Sequence, residues 1–360
     1  MTTSTAATPP RRATVRVLST CDNSCVFCGQ HGTADSAPDR ATITSLLRAC
    51  RSRSSEVTLI GGEPTLHPEL PSIVAEARAL GFSRVGVQTN GRRPELMRAL
   101  AAAGLTDLHA SIHGAVAAAH DFHTGVEGSF ALALATLSEA RAVGLDLVVT
   151  TVLTRSNARG LAEVAQLLAA RGTAAWCIAV PRVRGRAAEL FDRVVPRLGI
   201  AIPFAIHALQ IATAARLPVF FRGAPSCLLG PFAQHALVEH EPNDDRAYGD
   251  ACARCEARPA CPGLEPTYLA RFAGDELSPV RLVPRTPAAD GAVARMFVGE
   301  GELAPLAVRE VAAAPVHARV ALPMLGKVQP ARAEVSKTVE KKTGEALREI
   351  FKDLFVEEGK

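Results

Sequence analysis

"TVRVLSTCDNSCVFCGQH" (residues 14–31) decides how the rest of the chain is read. It opens on a β-branched run, "TVRVLS" (14–19), that predicts a strand, then breaks into a loop with three cysteines spaced C-x3-C-x2-C: Cys21, Cys25 and Cys28. Similar runs recur along the chain: "VTLI" (57–60), "RVGVQ" (84–88), "DLHASI" (107–112), "LDLVVTTV" (145–152) and "AAWCIAV" (174–180). Each run, like the first, leads into an Ala/Leu/Arg-rich stretch of helical character, near 41–51, 69–80, 94–103, 128–143, 157–171 and 203–215. Gly81, Gly104, Gly144 and Gly172 stand where helices should stop. Six βα units in a row predict parallel strands with right-handed crossovers, hence an α/β fold. Six is short of the eight of a closed barrel, so a partial (β/α)6 barrel is expected, with a doubly wound sheet as the alternative.

From about residue 217 the pattern breaks. Residues 217–285 hold a Cys-, Pro-, Gly- and Asp-rich stretch that predicts a small metal-stapled domain; it follows the barrel expected over 13–216. Residues 1–12 are expected to be disordered. Residues 286–360 form a C-terminal extension ending in "SKTVEKKTGEALREIFKDLFVEEG" (336–359), which predicts an amphipathic helix with Leu347, Ile350 and Leu354 on its apolar face.

With 48% apolar and 21% charged residues, the composition is that of a globular protein. A net charge of +4 is too mild to predict nucleic-acid binding. The N-terminus has no apolar signal-peptide core, and no run reads as long enough to cross a membrane, so a cytoplasmic location is the expectation. Nine cysteines, mostly at short spacings, point to metal ligation rather than disulfides.

Three thiolates suit an iron–sulfur cluster with one iron left open. They also suit zinc, because His31 follows at C-x2-H and would complete a tetrahedron. Spacing alone leaves both readings open. Position adds information, because the loop follows the first strand, on the rim where barrel active sites sit. Other polar or Gly-rich pieces end the later strands: "GGEP" (61–64), "TNG" (89–91), "SIHG" (111–114), "TRSN" (154–157) and "PRVRGR" (181–186).

On these motifs the chain resembles the radical S-adenosylmethionine (SAM) superfamily over roughly residues 13–215. Its signature is C-x3-C-x-aromatic-C, with Phe27 at the aromatic place. The resemblance implies a [4Fe-4S] cluster on Cys21, Cys25 and Cys28, whose open iron is chelated by SAM. Reductive cleavage of SAM would give a 5′-deoxyadenosyl radical for hydrogen abstraction. The resemblance implies cofactor contacts from Gly61, Gly62, Glu63 and Pro64, then from Thr89 and Asn90, from Ser111 and from Asn157 after strand five. Trp176, Ile178 and Pro181 are expected to shape the adenine side, Trp176 being equally well placed for core packing. His113 is read as within reach of the site or structural; His120 and His123 are read as structural or surface residues.

Cys227, Cys252, Cys255 and Cys261 make a second set, the last three spaced C-x2-C-x5-C. Four thiolates close a zinc site or a fully ligated cluster. The run resembles the SPASM or twitch extensions of radical SAM enzymes, which implies an auxiliary [4Fe-4S] cluster; Glu265 stands where the full SPASM pattern has a further cysteine. Cys50 and Cys177 read as buried, Cys177 with the alternative of facing the barrel interior.

Two enzymatic functions are expected from this set. In the first, the auxiliary cluster accepts an electron while a peptide or protein substrate is modified. In the second, a small anionic molecule is the substrate, met by Arg182, Arg184 and Arg186 after strand six. Only about a dozen residues precede the barrel, too few for a leader-peptide recognition domain. A one-electron reductant such as flavodoxin or ferredoxin is the implied partner, with neither membrane nor nucleic acid. A non-enzymatic metal scaffold is the remaining reading.

Overall fold

The computed structural model describes residues 12–30, 38–237, 246–281 and 297 of the 360-residue chain. His31, nearly all of the expected disordered segment 1–12 and the expected helix at 336–359 lie outside the described residues.

Seven parallel strands form one sheet in the order β1 to β7: β1 (Ala13–Leu18), β2 (Glu56–Gly61), β3 (Arg84–Thr89), β4 (Asp107–Ser111), β5 (Asp146–Val152), β6 (Ala175–Ala179) and β7 (Val219–Arg222). Strictly sequential order, with every neighbour parallel, removes the doubly wound alternative, which needs a reversal of strand order. β1 and β7 have no pairing with each other, so the barrel stays open. The six expected strands are present. The seventh carries the sheet past residue 216, beyond the expected end of the barrel.

The expected helices are also present: α1 (Arg40–Arg51), α2 (Leu70–Ala79), α3 (Met97–Ala102), α5 (Ser129–Ala142), α6 (Leu161–Ala170) and a longer helix, Leu198–Ala214. That last helix starts five residues before the expected 203 and runs through Pro203. Several helices were not expected, among them α4 (Ala117–Thr124) and Pro266–Phe272. Asp39 caps α1 by accepting the Thr42 N–H at 2.7 Å. Gly81, Gly104, Gly144 and Gly172 all take positive φ, from 66° to 101°, as stop signals after helices require. The stretch Phe191–Ala214 meets the length and apolarity of a membrane crossing, which corrects the sequence reading; half of it is buried within the fold.

Strand pleating sorts the sheet into two faces. Val15, Val17, Val57, Leu59, Val85, Val87, Leu108, Ala110, Leu147, Val149, Trp176, Ile178, Val219 and Phe221 join the main core with the helices. The intervening positions face the concave side, and many are polar: Thr58, Gln88, Asp107, His109, Ser111, Thr150 and Arg222. The apolar helix-side face drives folding, which leaves the concave face free to carry chemistry.

Low on the concave face lies a buried ion pair. Arg12 donates to Asp107 Oδ2 (2.6 Å) and to Thr58 Oγ1 (2.6 Å), and His109 Nε2 meets the same Asp107 oxygen at 2.8 Å. Burial pushes the Asp107 carboxyl up, but the His109 contact and the Arg12 charge outweigh it and hold the group well below the usual carboxylate range.

Candidate active site

A cavity of about 610 Å³ opens at the C-terminal ends of the strands. Cys21, Cys25 and Cys28 line it together with Gly61, Gly62, Glu63, Thr89, Asn90 and Ser111. Nine of the residues singled out from sequence therefore meet in one place.

The cysteine loop is fixed by its backbone. The Ser24 and Val26 N–H groups donate to the carbonyls of Thr124 (2.8 Å) and His123 (3.0 Å) at the end of α4. On the other side the Arg186 N–H donates to the Cys28 carbonyl (2.9 Å), and the Arg186 guanidinium donates to the Cys25 carbonyl (3.1 Å). Burial, then the neighbouring Cys28 and Cys21, push the Cys25 thiol up to about 12. Thiols that resist ionisation beside one another become good ligands once a cationic group sits among them.

Among the described residues, no three His, Cys, Asp or Glu side chains are placed to hold a single metal ion. The three thiols share a cavity without converging on one point. His31, the residue the zinc reading needed, lies outside the described residues.

The "GGEP" turn is built against this loop. A side-chain carbon on Gly62 would lie 2.3 Å from the Thr20 carbonyl oxygen, and one on Gly61 2.2 Å from that of Leu18, so neither position has room for a side chain. The Gly62 and Glu63 N–H groups donate to Leu18 and Thr20, both at 2.8 Å. A register shift in β1 between Arg16 and Leu18 brings the two strand ends together this way. Glu63, 1% exposed, accepts from Thr65 N (3.0 Å), Thr65 Oγ1 (2.6 Å) and Thr89 Oγ1 (2.7 Å) on one oxygen. Its other oxygen accepts only from Asn90 N, at 2.6 Å. Burial pushes this carboxyl up; the hydrogen bonds from Asn90, Thr65 and Thr89 offset that only in part. A cation beside the second oxygen would be welcome.

Thr89 and Asn90 turn out to be scaffold as much as surface. Asn90 Nδ2 donates to Asp22 Oδ1 (2.7 Å), and Arg92 pairs with the same Asp22 at 2.9 Å. Asp22 lies inside the cysteine motif, so cysteine loop and Glu63 turn form one hydrogen-bonded unit through Asn90. Ser111 reaches the cavity with no side-chain hydrogen bond among the described residues.

Three expectations, for Asn157, Pro64 and Ile178, are corrected, and Trp176 takes its core-packing alternative. Asn157 does not line the cavity: its side chain accepts from Thr154 N (2.8 Å) and donates to Val152 O (2.8 Å) and His113 O (3.2 Å), tying the strand ends beneath it. Pro64 is buried at the start of the turn Pro64–Leu66 and also lies off the cavity. Trp176 and Ile178 belong to the helix-side core, Trp176 donating to Thr151 Oγ1 at 2.9 Å. Pleating therefore turns Cys177 to the concave side, where it packs with Val148 and Phe220, off the cavity. Pro181 does line the cavity.

The structure brings His113, read from sequence as within reach of the site or structural, to the cavity, and adds Gln88, His109, Arg222 and Arg246, which the sequence did not single out. His113 stacks edge-on with Phe27, ring centres 4.6 Å apart. His120 and His123 are buried behind it, and burial lowers all three histidines, His120 to about 4, which leaves them neutral.

Cys227, Cys252, Cys255 and Cys261 line a second, smaller cavity with Tyr248 and Leu264. Burial raises the Cys227 and Cys252 thiols, and the other cysteines of the set raise them further. Glu265, beside this set, meets Arg182 at 3.0 Å and so links it to the loop after β6.

Residues 15–168, from β1 into α6, match the family model of the radical SAM superfamily. The AdoMet-dependent heme synthase of Nitratidesulfovibrio vulgaris is 30% identical over 39% of this chain and 38% of its own. The PqqA peptide cyclase of Methylocella silvestris is 35% identical over 32% of this chain and 31% of its own. The chain thus spans about a third of the length of these curated relatives. A crystal structure of Streptococcus suis SuiB bound to precursor peptide SuiA shares the fold, with TM-score 0.51 at 15% identity, over 61% of this chain and 50% of that one.

Proposed function

We propose that the protein is a radical SAM enzyme whose Cys21, Cys25 and Cys28 hold a [4Fe-4S] cluster with SAM on its open iron. Bound and reduced, that cluster supplies the electron that cleaves SAM to methionine and a 5′-deoxyadenosyl radical, which takes hydrogen from the substrate. The protein's residues orient the cosubstrate and exclude water. The observation that carries this reading is the Asp22–Asn90–Glu63 linkage, which sets a cation-seeking carboxylate at a fixed place beside the three thiols.

In this reading Glu63 receives the SAM ammonium on its less-occupied oxygen, and Gly61 and Gly62 present backbone without side-chain bulk. Ser111 offers its hydroxyl, and Thr89 and Asn90 hold Glu63. Pro64 and Asn157 act from behind, by fixing the turn and the strand ends. Cys227, Cys252, Cys255 and Cys261 fully ligate an auxiliary [4Fe-4S] cluster, which accepts the electron left on the substrate. The first electron comes from a flavodoxin or ferredoxin.

The proposed substrate is a peptide or protein, in keeping with the peptide cyclase among the relatives. A small anionic substrate is the second reading, and the arginines at the cavity favour it. The test is anaerobic reconstitution with SAM and dithionite. Wild type should form 5′-deoxyadenosine, and Cys25→Ala should lower its yield to that of the protein-free control. Equal yields from both would refute the assignment.

A further inference from the structure

We infer that the wall of the cavity at β6 and β7 is an oxyanion site, built from Arg182, Arg222 and Arg246, that takes a carboxylate or phosphate of the substrate. This deepens the proposed function by naming a chemical group on the substrate, and it rests on that reading only in treating the cavity as the reaction chamber.

Three separate segments converge here. Arg222 ends β7, in register with Ala179 at the end of β6, and Arg182 follows three residues later. Arg246 enters from the segment leading to the second cysteine set. It passes beside Gly223: a carbon there would be in ordinary contact with Arg246 Nη2, at 3.8 Å. Arg222 and Arg246 therefore flank the same glycine, and all three arginines line the cavity.

Glu265 is the carboxylate that meets this wall, at 3.0 Å from Arg182 and 3.8 Å from Arg246. Arg222 has no side-chain hydrogen bond or ion pair among the described residues. The Arg246 side chain is only 7% exposed, yet its Nε finds no hydrogen-bond partner among the described residues. Among the described residues, Arg222 is unpaired and Arg246 Nε is unsatisfied, so this wall keeps guanidinium donors to spare in a partly desolvated place. Paired guanidiniums in such surroundings recognise carboxylate or phosphate by two parallel hydrogen bonds. Glu63, the acid that lines the cavity, lies at the opposite end of the sheet order, after β2.

The experiment uses the reconstituted full chain with saturating SAM and no reductant, read by titration calorimetry. One probe is pyrophosphate; the other is the blocked peptide acetyl-Ala-Glu-Ala-amide, with its Gln counterpart as a neutral control. At least one oxyanion probe should bind saturably, and Arg222→Gln and Arg246→Gln should each weaken it by about tenfold or more. Arg222→Lys, which keeps the charge and the fold but loses the fork, should fall between. Arg98→Gln, on an exposed stretch of α3, should change nothing. Pyrophosphate binding alone assigns a phosphate, and peptide binding alone assigns a carboxylate. The proposal is overturned if neither probe saturates on wild type, if Arg98→Gln weakens binding as much as Arg222→Gln, or if SAM displaces the probe competitively. Binding needs no turnover, so failure of the radical reading shows itself separately, as absence of 5′-deoxyadenosine.

Discussion

Glu63 shows how one side chain is used twice. It receives four hydrogen bonds, so it locks the ends of β2 and β3 together, and it still keeps acceptor capacity on the oxygen bonded only to Asn90 N. Glu63→Gln replaces one acceptor with an NH2 that must face a donor. It should lower stability by about 1–3 kcal/mol in urea unfolding. Unchanged stability would mean that the carboxylate does not hold the turn. The sequence made Glu63 legible through "GGEP", but Asn157 misled: its neighbours read as a polar loop, whereas its amide is spent on Thr154, Val152 and His113. Where an Asn side chain points depends on the strand ends around it, and spacing carries no such information. Arg222 and Arg246 were hidden for the related reason that only the fold brings residues 182, 222 and 246 to one wall.

The elements most readable in advance were those with a clear period. β-branched runs and Gly-terminated Ala/Leu stretches located β1 to β6 and most helices. β7 escaped because it is four residues long and runs straight into the Cys- and Pro-rich segment. α4 escaped because "AAAHDFHT" shows no apolar stripe, its helix instead burying histidines. That has a measurable consequence. His120 Nδ1 accepts the His113 N–H at 3.2 Å and the ring is fully buried, so its pKa falls to about 4 while the unfolded chain titrates near 6.5. Between those values the unfolded state binds the extra proton, so acidification destabilises the fold, and stability returns as pH rises. From pH 7 to pH 5, His120 accounts for a loss of about 2 kcal/mol, with His113 and His123 shifted in the same direction. His120→Asn, which keeps an acceptor but does not titrate, should shrink the change in urea midpoint between the two pH values. An identical pH dependence in both proteins would contradict the buried, neutral assignment.

At the scale of the molecule, two regions carry the architecture. One is the apolar layer between sheet and helices. The other is the charged floor of the half-barrel, where Arg12 and Asp107 meet with almost no exposure. Arg12→Met leaves Asp107 with only the partly exposed Arg84, at 3.3 Å, as counter-charge and should cost up to about 3–5 kcal/mol, of which Arg12→Met/Asp107→Asn should recover a part. A double variant whose loss equals the sum of the losses of Arg12→Met and Asp107→Asn would show that the pair is not coupled. Above that floor, two separate thiol sets line two separate cavities, one of three cysteines and one of four. The account turns on the missing fourth ligand of the first set. Mössbauer spectroscopy of protein reconstituted with ⁵⁷Fe, recorded with and without SAM, tests it most directly. The account predicts about eight irons per chain, one of which changes its signal when SAM is added. A spectrum indifferent to SAM, or a protein that takes up zinc at Cys21, Cys25 and Cys28 in place of iron, would contradict it.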